Sequence, residues 1–372
     1  MKGSKIKKLG EVLALEYGKP LPKEDRDDNG TYPAFGANGV LCRTNRYCHD
    51  KPSFIVGRKG SAGEINLTPE KFWPLDVTYY VTFDPTKYDL MFLFHAFKFL
   101  NLPALAKGVK PGINRNDVYD LSFAFPPLPE QRRIVAILDE AFAGLEAMRA
   151  NAEMNLQNSR DLFDSHLQSV FNQHDKRWGK HPLVSLCKLF VDSAHRTPKY
   201  QDEGIPALRP RDVVNGKLNL VGAQRVSEVE YEIQSKRHKP SPGDIVYSRE
   251  LSYGWAALLP KSPRVCLSQG MCLFRPASKL DAAFLLYVLN GSIGREQAAR
   301  AAVGAAHPHI NLGDIKSYSI PLPPLEEQRK ATRQFDELSE ETQRLASLYE
   351  RKLAALEALK NSLLHQAFTG NL

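Results

Sequence analysis

The sequence predicts an α+β protein in which two globular domains are separated by two long antiparallel helices forming a coiled coil, with an internal pseudo-two-fold repeat. The 372 residues are 42% hydrophobic and 25% charged, which is typical of a globular protein. This length suits two or three domains. A block of sequence occurs twice, and each copy opens a stretch in which apolar residues recur every seven positions.

The repeat pairs positions that are 197 residues apart. The segment Pro126-Pro127-Leu128-Pro129-Glu130-Gln131-Arg132 matches Pro323-Pro324-Leu325-Glu326-Glu327-Gln328-Arg329. Asn114 matches Asn311, and the register continues without insertion to Phe171 and Phe368. A repeat of this length indicates two half-molecules of the same construction.

Two long helices are predicted after the repeated block, over 130–172 and 326–372. The paired prolines stop any incoming helix, and acidic residues favour the positive end of each new helix. A seven-residue apolar period predicts a coiled coil. We expect the two helices to pair; the alternative is that each packs only on its own domain. In the first helix the apolar series is Ile134, Leu138, Ala141, Leu145, Met148, Ala152, Asn155, Ser159, Leu162 and His166.

The predicted segments are therefore a first domain at 1–125, a first helix at 126–172, a second domain at 173–322 and a second helix at 323–372. Strand-like runs lie at 53–56 and 77–83, and again at 244–248, 265–267 and 271–274. Glycine-rich turns lie at 35–39 and 57–63. Helices are predicted at 90–100, 282–290 and 294–302.

Positive charge is concentrated in the two domains. Residues 1–129 contain 18 basic and 14 acidic residues, and residues 173–325 contain 21 and 13. The helices together carry a net charge of −4, although the whole chain carries +8. This distribution favours a nucleic acid as partner over a membrane surface.

The sequence predicts no enzyme, no cofactor and no metal site. It contains neither a phosphate-binding Gly-x-x-x-x-Gly-Lys-Ser/Thr loop nor a Gly-x-Gly-x-x-Gly turn. His307-Pro308-His309 lacks a second ligand set at zinc spacing. Five scattered cysteines predict thiols in a reducing cytoplasm.

Basic residues near turns and strand ends are the candidate DNA contacts. Arginine and lysine bind phosphates, and arginine also reads guanine in the major groove. Flanking glycines allow another backbone to approach closely. The candidates are Arg43, Arg58, Lys59, Lys107, Lys110, Arg115, Lys199, Arg209, Arg211 and Arg249.

A variable α+β domain followed by Pro-Pro-Leu-x-Glu-Gln-Arg and a long helix, all occurring twice, resembles the DNA-specificity subunits of type I restriction-modification systems. Gly204-Ile205-Pro206-Ala207-Leu208-Arg209 and Pro242-Gly243-Asp244-Ile245-Val246 resemble one type of recognition domain in that family. Tyr32-Pro33-Ala34-Phe35-Gly36-Ala37-Asn38-Gly39 and residues 57–65 resemble a second type. One departure from the family pattern is that the first block has Pro129 where the second has Glu326.

This resemblance implies two target recognition domains that each read one half of a split, asymmetric DNA site. It implies that the helices fix the gap between the halves and carry two methyltransferase subunits, which restriction subunits can join. S-adenosylmethionine, ATP and magnesium would bind those partner subunits.

Two other functions remain open from the sequence. A coiled-coil scaffold whose domains bind protein would have no salt-dependent affinity for DNA. A nuclease acting alone would cleave DNA in a metal-dependent manner.

Overall fold

The structure, a computed structural model, describes residues 3–174 and 177–371. Met1, Lys2, Asp175, Lys176 and Leu372 lie outside the described residues. Contacts divide the chain into a first unit, Met1–Glu153 with Arg351–Leu372, and a second unit, Met154–Glu350. Both divisions fall within the long helices, so each unit contains one globular domain and a part of each helix.

The first unit contains nine strands and two short helices before the first long helix. They are β1 (Lys5–Lys8), β2 (Leu13–Tyr17), β3 (Tyr32–Gly36), β4 (Gly39–Thr44), β5 (Ser53–Gly57), β6 (Ile65–Thr68), β7 (Trp73–Pro74), β8 (Thr78–Phe83), α1 (Leu90–Phe99), α2 (Arg115–Tyr119), β9 (Ser122–Phe125) and the start of α3 (Leu128–His174). The main sheet has the antiparallel order β2-β8-β5-β6.

The second unit follows the same plan with additional short strands. Its elements are β10 (Gly179–Pro182), β11 (Cys187–Asp192), β12 (Tyr200–Gln201), β13 (Ile205–Leu208), β14 (Val213–Val214), β15 (Lys217–Leu218), β16 (Gln224–Val226), α4 (Glu228–Gln234), β17 (Ile245–Ser248), β18 (Ala256–Leu258), β19 (Cys266–Leu267), β20 (Met271–Pro276), α5 (Ala282–Asn290), α6 (Ser292–Ala301), β21 (Ala302–Val303), β22 (His309–Ile310), α7 (Leu312–Lys316), β23 (Ser319–Leu322) and the start of α8 (Leu325–Thr369).

Three strand arrangements recur in both domains. The order β11-β20-β17-β18 repeats β2-β8-β5-β6. A parallel pair, β3 with β7, has its counterpart in β13 with β19. The antiparallel pair β1 with β9 has its counterpart in β10 with β23. The α+β prediction and the internal repeat are therefore confirmed, and α2, β9 and α3 begin 197 residues before α7, β23 and α8.

Within each unit, α3 and α8 run antiparallel. In the first unit Glu146 pairs with Lys360 at 3.3 Å, while Leu138 and Phe368 both join the domain core. In the second unit Arg160 pairs with Glu350 at 3.2 Å. The rings of Phe171 and Phe335 lie 6.0 Å apart there.

The predicted apolar series is buried at one position in each seven. Leu138, Leu145, Ala152 and Ser159 are buried. Of the alternate positions, Ile134 is buried, whereas Met148 and Leu162 are exposed. A large part of the burial comes instead from each helix packing on its domain: Ile134 and Leu138 enter the first core, and Ala331 and Phe335 enter the second.

Candidate nucleic-acid interface

The glycine-rich segment 57–63 forms the turn between β5 and β6. Gly63 N donates to Gly57 O at 2.8 Å and closes the turn. Gly60 and Gly63 have φ of +82° and +87°, which glycine adopts without steric cost. A Cβ on Gly63 would lie 2.4 Å from the backbone nitrogen of Pro103. Only glycine therefore fits at that point, and the turn projects Arg58 and Lys59.

A second turn, 107–112, lies against this one. Lys107 and Gly112 exchange two backbone hydrogen bonds of 3.0 Å, and Gly60 N donates to Pro111 O at 2.9 Å. Ile113 N donates to Arg58 O at 3.0 Å. We call segments 57–63 and 107–112 the first loop pair. Their hydrogen bonds hold Lys107 and Lys110 beside Arg58 and Lys59.

Tyr17, at the end of β2, orients two of the arginines. The guanidinium carbons of Arg58 and Arg115 lie 4.9 and 4.8 Å from its ring centroid, within range of a cation–π interaction. Arg58 Nη1 also donates to Asp76 O at 3.1 Å. Tyr79 lies next to Tyr17, and burial raises the pKa of its hydroxyl. The raised pKa keeps Tyr79 neutral beside these cations.

The first loop pair thus contains four of the predicted residues, namely Arg58, Lys59, Lys107 and Lys110, and Arg115 lies beside it on the ring of Tyr17. Lys59 and Lys110 are exposed, and Lys107 forms an exposed ion pair of 2.9 Å with Asp117. A group of cations held on two hydrogen-bonded turns is suited to binding the phosphate groups of DNA. Sequence reasoning missed Tyr17, whose only signal was an aromatic residue at the polar end of a strand.

The second unit contains an equivalent second loop pair, segments 248–254 and 304–309. Gly254 N donates to Ser248 O, and Leu251 N donates to Pro308 O, both at 2.9 Å. Ile310 N donates to Arg249 O at 2.8 Å. Pro111 and Pro308, and likewise Ile113 and Ile310, are 197 residues apart. The two loop pairs therefore have the same hydrogen-bonded backbone and different side chains.

Arg249 occupies the position of Arg58 but points inward, so we remove it from the DNA-contact candidates. It is 9% exposed, and Nη1 donates to Ile310 O at 3.1 Å. Its Nε lies 3.3 Å from Asp192 Oδ1. The guanidinium is held between β11 and the second loop pair, where it positions the loops.

Two other candidates, Arg43 and Arg209, also form hydrogen bonds within their own domains. Arg43 donates to the carbonyl oxygens of Gly30 and Thr31. Arg209 forms a bidentate pair with Asp212 at 2.8 and 3.0 Å, and this hydrogen bonding raises the pKa of the Arg209 guanidinium. These bonds hold both guanidinium groups against their own domains.

Lys199 and Arg211 are the exposed candidates of the second domain. Arg211 follows Pro210, which borders the second loop pair: a Cβ on Gly270 would lie 3.0 Å from Pro210 Cγ and 2.9 Å from Glu250 Oε2. Lys199 precedes β12, and within residues 177–371 no hydrogen bond or ion pair joins it to the second loop pair.

The remaining chemistry of the described chain is structural. Residues 3–174 and 177–371 contain no group of three histidine, cysteine or acidic side chains that could hold a metal. The five cysteines are unpaired, and burial raises the pKa of the Cys187 and Cys266 thiols to about 12. No helix in the same residues is long and apolar enough to cross a membrane.

Known proteins share this construction. The chain is 22% identical to the type I restriction enzyme EcoDI specificity subunit of Escherichia coli, over 99% of this chain and 88% of the relative. It is 20% identical to the MjaVIII specificity subunit of Methanocaldococcus jannaschii, over 99% and 92%.

Among solved structures, the HsdS subunit from Thermoanaerobacter tengcongensis matches with a TM-score of 0.61 and 22% identity, over 100% of this chain and 98% of that one. A chain from a structure of type I restriction-modification complex assembly and conformational transition matches with a TM-score of 0.78 and 21% identity, over 100% and 99%. A family model described as the type I restriction modification DNA specificity domain matches residues 1–155 and 176–350. The chain therefore belongs to the family of type I restriction-modification DNA specificity proteins.

Proposed function

We propose that this chain is the specificity subunit of a type I restriction-modification complex, which reads a bipartite, asymmetric DNA target and brings partner methyltransferase and restriction subunits to it. One observation carries the proposal: the same loop pair is built twice in one chain, with different side chains at its tips. Two domains with the same loop backbone and different side chains would bind DNA in the same orientation and recognise different sequences.

The tips differ in charge and size. The first loop pair has Arg58, Lys59 and Gly60, while the second has the half-buried Glu250 and the exposed Leu251 after an inward-facing Arg249. Cationic side chains bind phosphates and guanine, whereas a carboxylate accepts hydrogen bonds from base amino groups. The two half-sites should therefore have different sequences.

The long helices offer equivalent places for two copies of one partner. Leu162 on α3 and Leu359 on α8 are 197 residues apart, and they are 50% and 46% exposed. Leu162 belongs to the apolar series of α3, and Leu359 occupies the equivalent position of α8. Two methyltransferase subunits would dock at these related positions, and restriction subunits would join that complex.

The chain itself performs no chemistry in this proposal. The methyl donor belongs to the methyltransferase, and ATP and magnesium belong to the restriction subunits. We place the complex in the cytoplasm, where the five unpaired cysteines would remain reduced.

The test is DNA binding by the purified chain, alone and co-expressed with its methyltransferase, with and without magnesium. The proposal predicts binding that weakens steeply with salt and target selectivity in the complex. Absence of salt-dependent binding in both preparations would favour the protein-binding scaffold. Magnesium-dependent cleavage by the chain alone would favour a nuclease.

A further inference from the structure

The backbone of both loop pairs requires a left-handed residue at one position. Gly60 has φ of +82° and donates its N–H to Pro111 O at 2.9 Å. Leu251 has φ of +56° and donates its N–H to Pro308 O at the same distance. The two residues are therefore structural equivalents, and glycine is the residue that this conformation favours.

Leucine at this position costs conformational free energy, because its Cβ crowds the following carbonyl in the left-handed region. Packing within the second unit does not offset that cost. Leu251 is 59% exposed and is part of none of the buried clusters of the described residues. Strain that persists at an exposed loop tip indicates that the side chain itself is used.

The surroundings of Leu251 indicate what it contacts. Glu250 precedes it and is half-buried, with its carboxylate directed towards Gly270; Lys59 stands at this position in the first loop pair. An acidic and an aliphatic residue cannot bind a phosphate. Leucine also has no hydrogen-bonding group for a base edge, and the apolar group that DNA presents in its major groove is the thymine C5-methyl.

We propose that Leu251 is a specificity-determining residue of the second recognition domain, where it contacts the C5-methyl group of a thymine in the major groove of that half-site. This inference rests on the proposed function. It assigns the left-handed leucine as the apolar contact and leaves phosphate binding to other residues of the domain.

The test uses the complex of this chain with its methyltransferase. Its target is first read from the methylated sites of the host, and the half read by the second domain is the half that persists when residues 1–110 are exchanged. Duplexes are then made in which each thymine of that half is replaced by deoxyuridine, which removes the methyl group and keeps the hydrogen-bonding edge.

We expect one replacement to weaken binding by about fourfold, the value of one buried methyl group. The Leu251→Gly complex should bind the thymine and deoxyuridine duplexes equally. Its thermal stability should be unchanged or higher, because glycine relieves the left-handed strain. The control Val229→Ala, at an exposed aliphatic residue on α4, should retain the preference for thymine.

Three results would overturn the proposal: a half-site without thymine, equal binding of every deoxyuridine duplex by the unaltered complex, or a thymine preference that survives in Leu251→Gly. In each of these the complex still binds a specific target, so the proposed function stands. A complex that binds no specific DNA would overturn the function and this inference together.

Discussion

Gln131 Oε1 accepts a hydrogen bond of 2.9 Å from the backbone N–H of Asp89, the residue that caps α1. The Gln131 amide also donates to Pro126 O at 2.9 Å. Gln328 makes the equivalent bonds to Asp281 N at 2.7 Å and Pro323 O at 2.8 Å. Both glutamines are fully buried. The repeated Glu-Gln motif therefore joins the start of α3 to α1 in the first domain and the start of α8 to α5 in the second.

Replacing Gln131 with leucine should destabilise the first domain by about 1–3 kcal/mol, because it leaves buried donors and acceptors without partners. Hydrogen exchange is the suitable measurement, since the amides of Met91 and Phe92 report on the cap at Asp89. Their protection should fall. Gln328→Leu should produce the same loss in the second domain, at the amide of Phe284.

The control for both variants is Gln157→Leu, at an exposed glutamine on α3. Protection in both domains should be unaffected by it. If Gln131→Leu left the α1 amides as protected as before, the motif would have no role in joining helix and domain.

The first domain should lose stability as the pH falls below about 6.5, the pKa of histidine in an unfolded chain. Burial lowers the pKa of His95 in spite of Asp139, whose Oδ1 lies 3.5 Å from Nε2. The unfolded chain therefore binds a proton more readily than the folded one. Stability from the neutral imidazole is complete above that pH and is lost as the pH falls towards the folded pKa.

Denaturant unfolding at pH 7.5 and 5.5 measures this effect. His95→Phe should flatten the pH dependence, and the slope that remains is expected from His49, whose pKa burial also lowers. In the second domain Tyr287 occupies the position of His95 and donates to Asp336. Burial raises the pKa of Tyr287, so this tyrosine stays protonated between pH 5.5 and 7.5. An unaltered slope in His95→Phe would refute the assignment.

Changing Arg58 and Lys59 together to alanine should weaken DNA binding and flatten its salt dependence. The slope of log K against log salt should fall by about 0.9 for each phosphate contact that is lost. Titrations of the methyltransferase complex at several salt concentrations measure it. Lys87→Ala, at a lysine outside the loop pair, is the control. An unchanged slope and affinity would remove both residues from the interface.

Arg249→Gln should behave in the opposite way. It removes the arginine charge from beside the largely buried Asp192, which also contacts His195 at 3.0 Å. This loss is expected to cost about 3 kcal/mol. The unfolding midpoint of the second domain should therefore fall, while the salt slope of DNA binding, measured where that domain is folded, should stay the same. A reduced slope with unchanged stability would return Arg249 to the DNA contacts.

The apolar periodicity and the internal repeat predicted the main helices and strands of this protein. The predicted strand at 53–56 is confirmed as β5, and the helix at 282–290 is confirmed as α5. These elements have strong local signals: β-branched or aromatic runs bounded by glycine, and long apolar helices. The short strands from β12 to β16 carry no such signal, because they are held by tertiary pairing.

The candidate interface was predicted less completely, because charge and turn position do not reveal side-chain direction. Arg58 and Arg249 follow equivalent strands. The Arg58 guanidinium lies over the ring of Tyr17, whereas the Arg249 guanidinium pairs with the largely buried Asp192. The sequence carries no signal for Leu251, because its left-handed backbone is evident only from the φ of +56° in the structure.

Independent reading of two half-sites is the central claim, and mapping methylated sites tests it most directly. Cells would express the methyltransferase with this chain, or with a hybrid in which residues 1–110 come from another member of the family. The account predicts two unlike half-sites at a fixed gap, with only one of them changed in the hybrid. A target with two identical halves, or a hybrid that alters both, would contradict it.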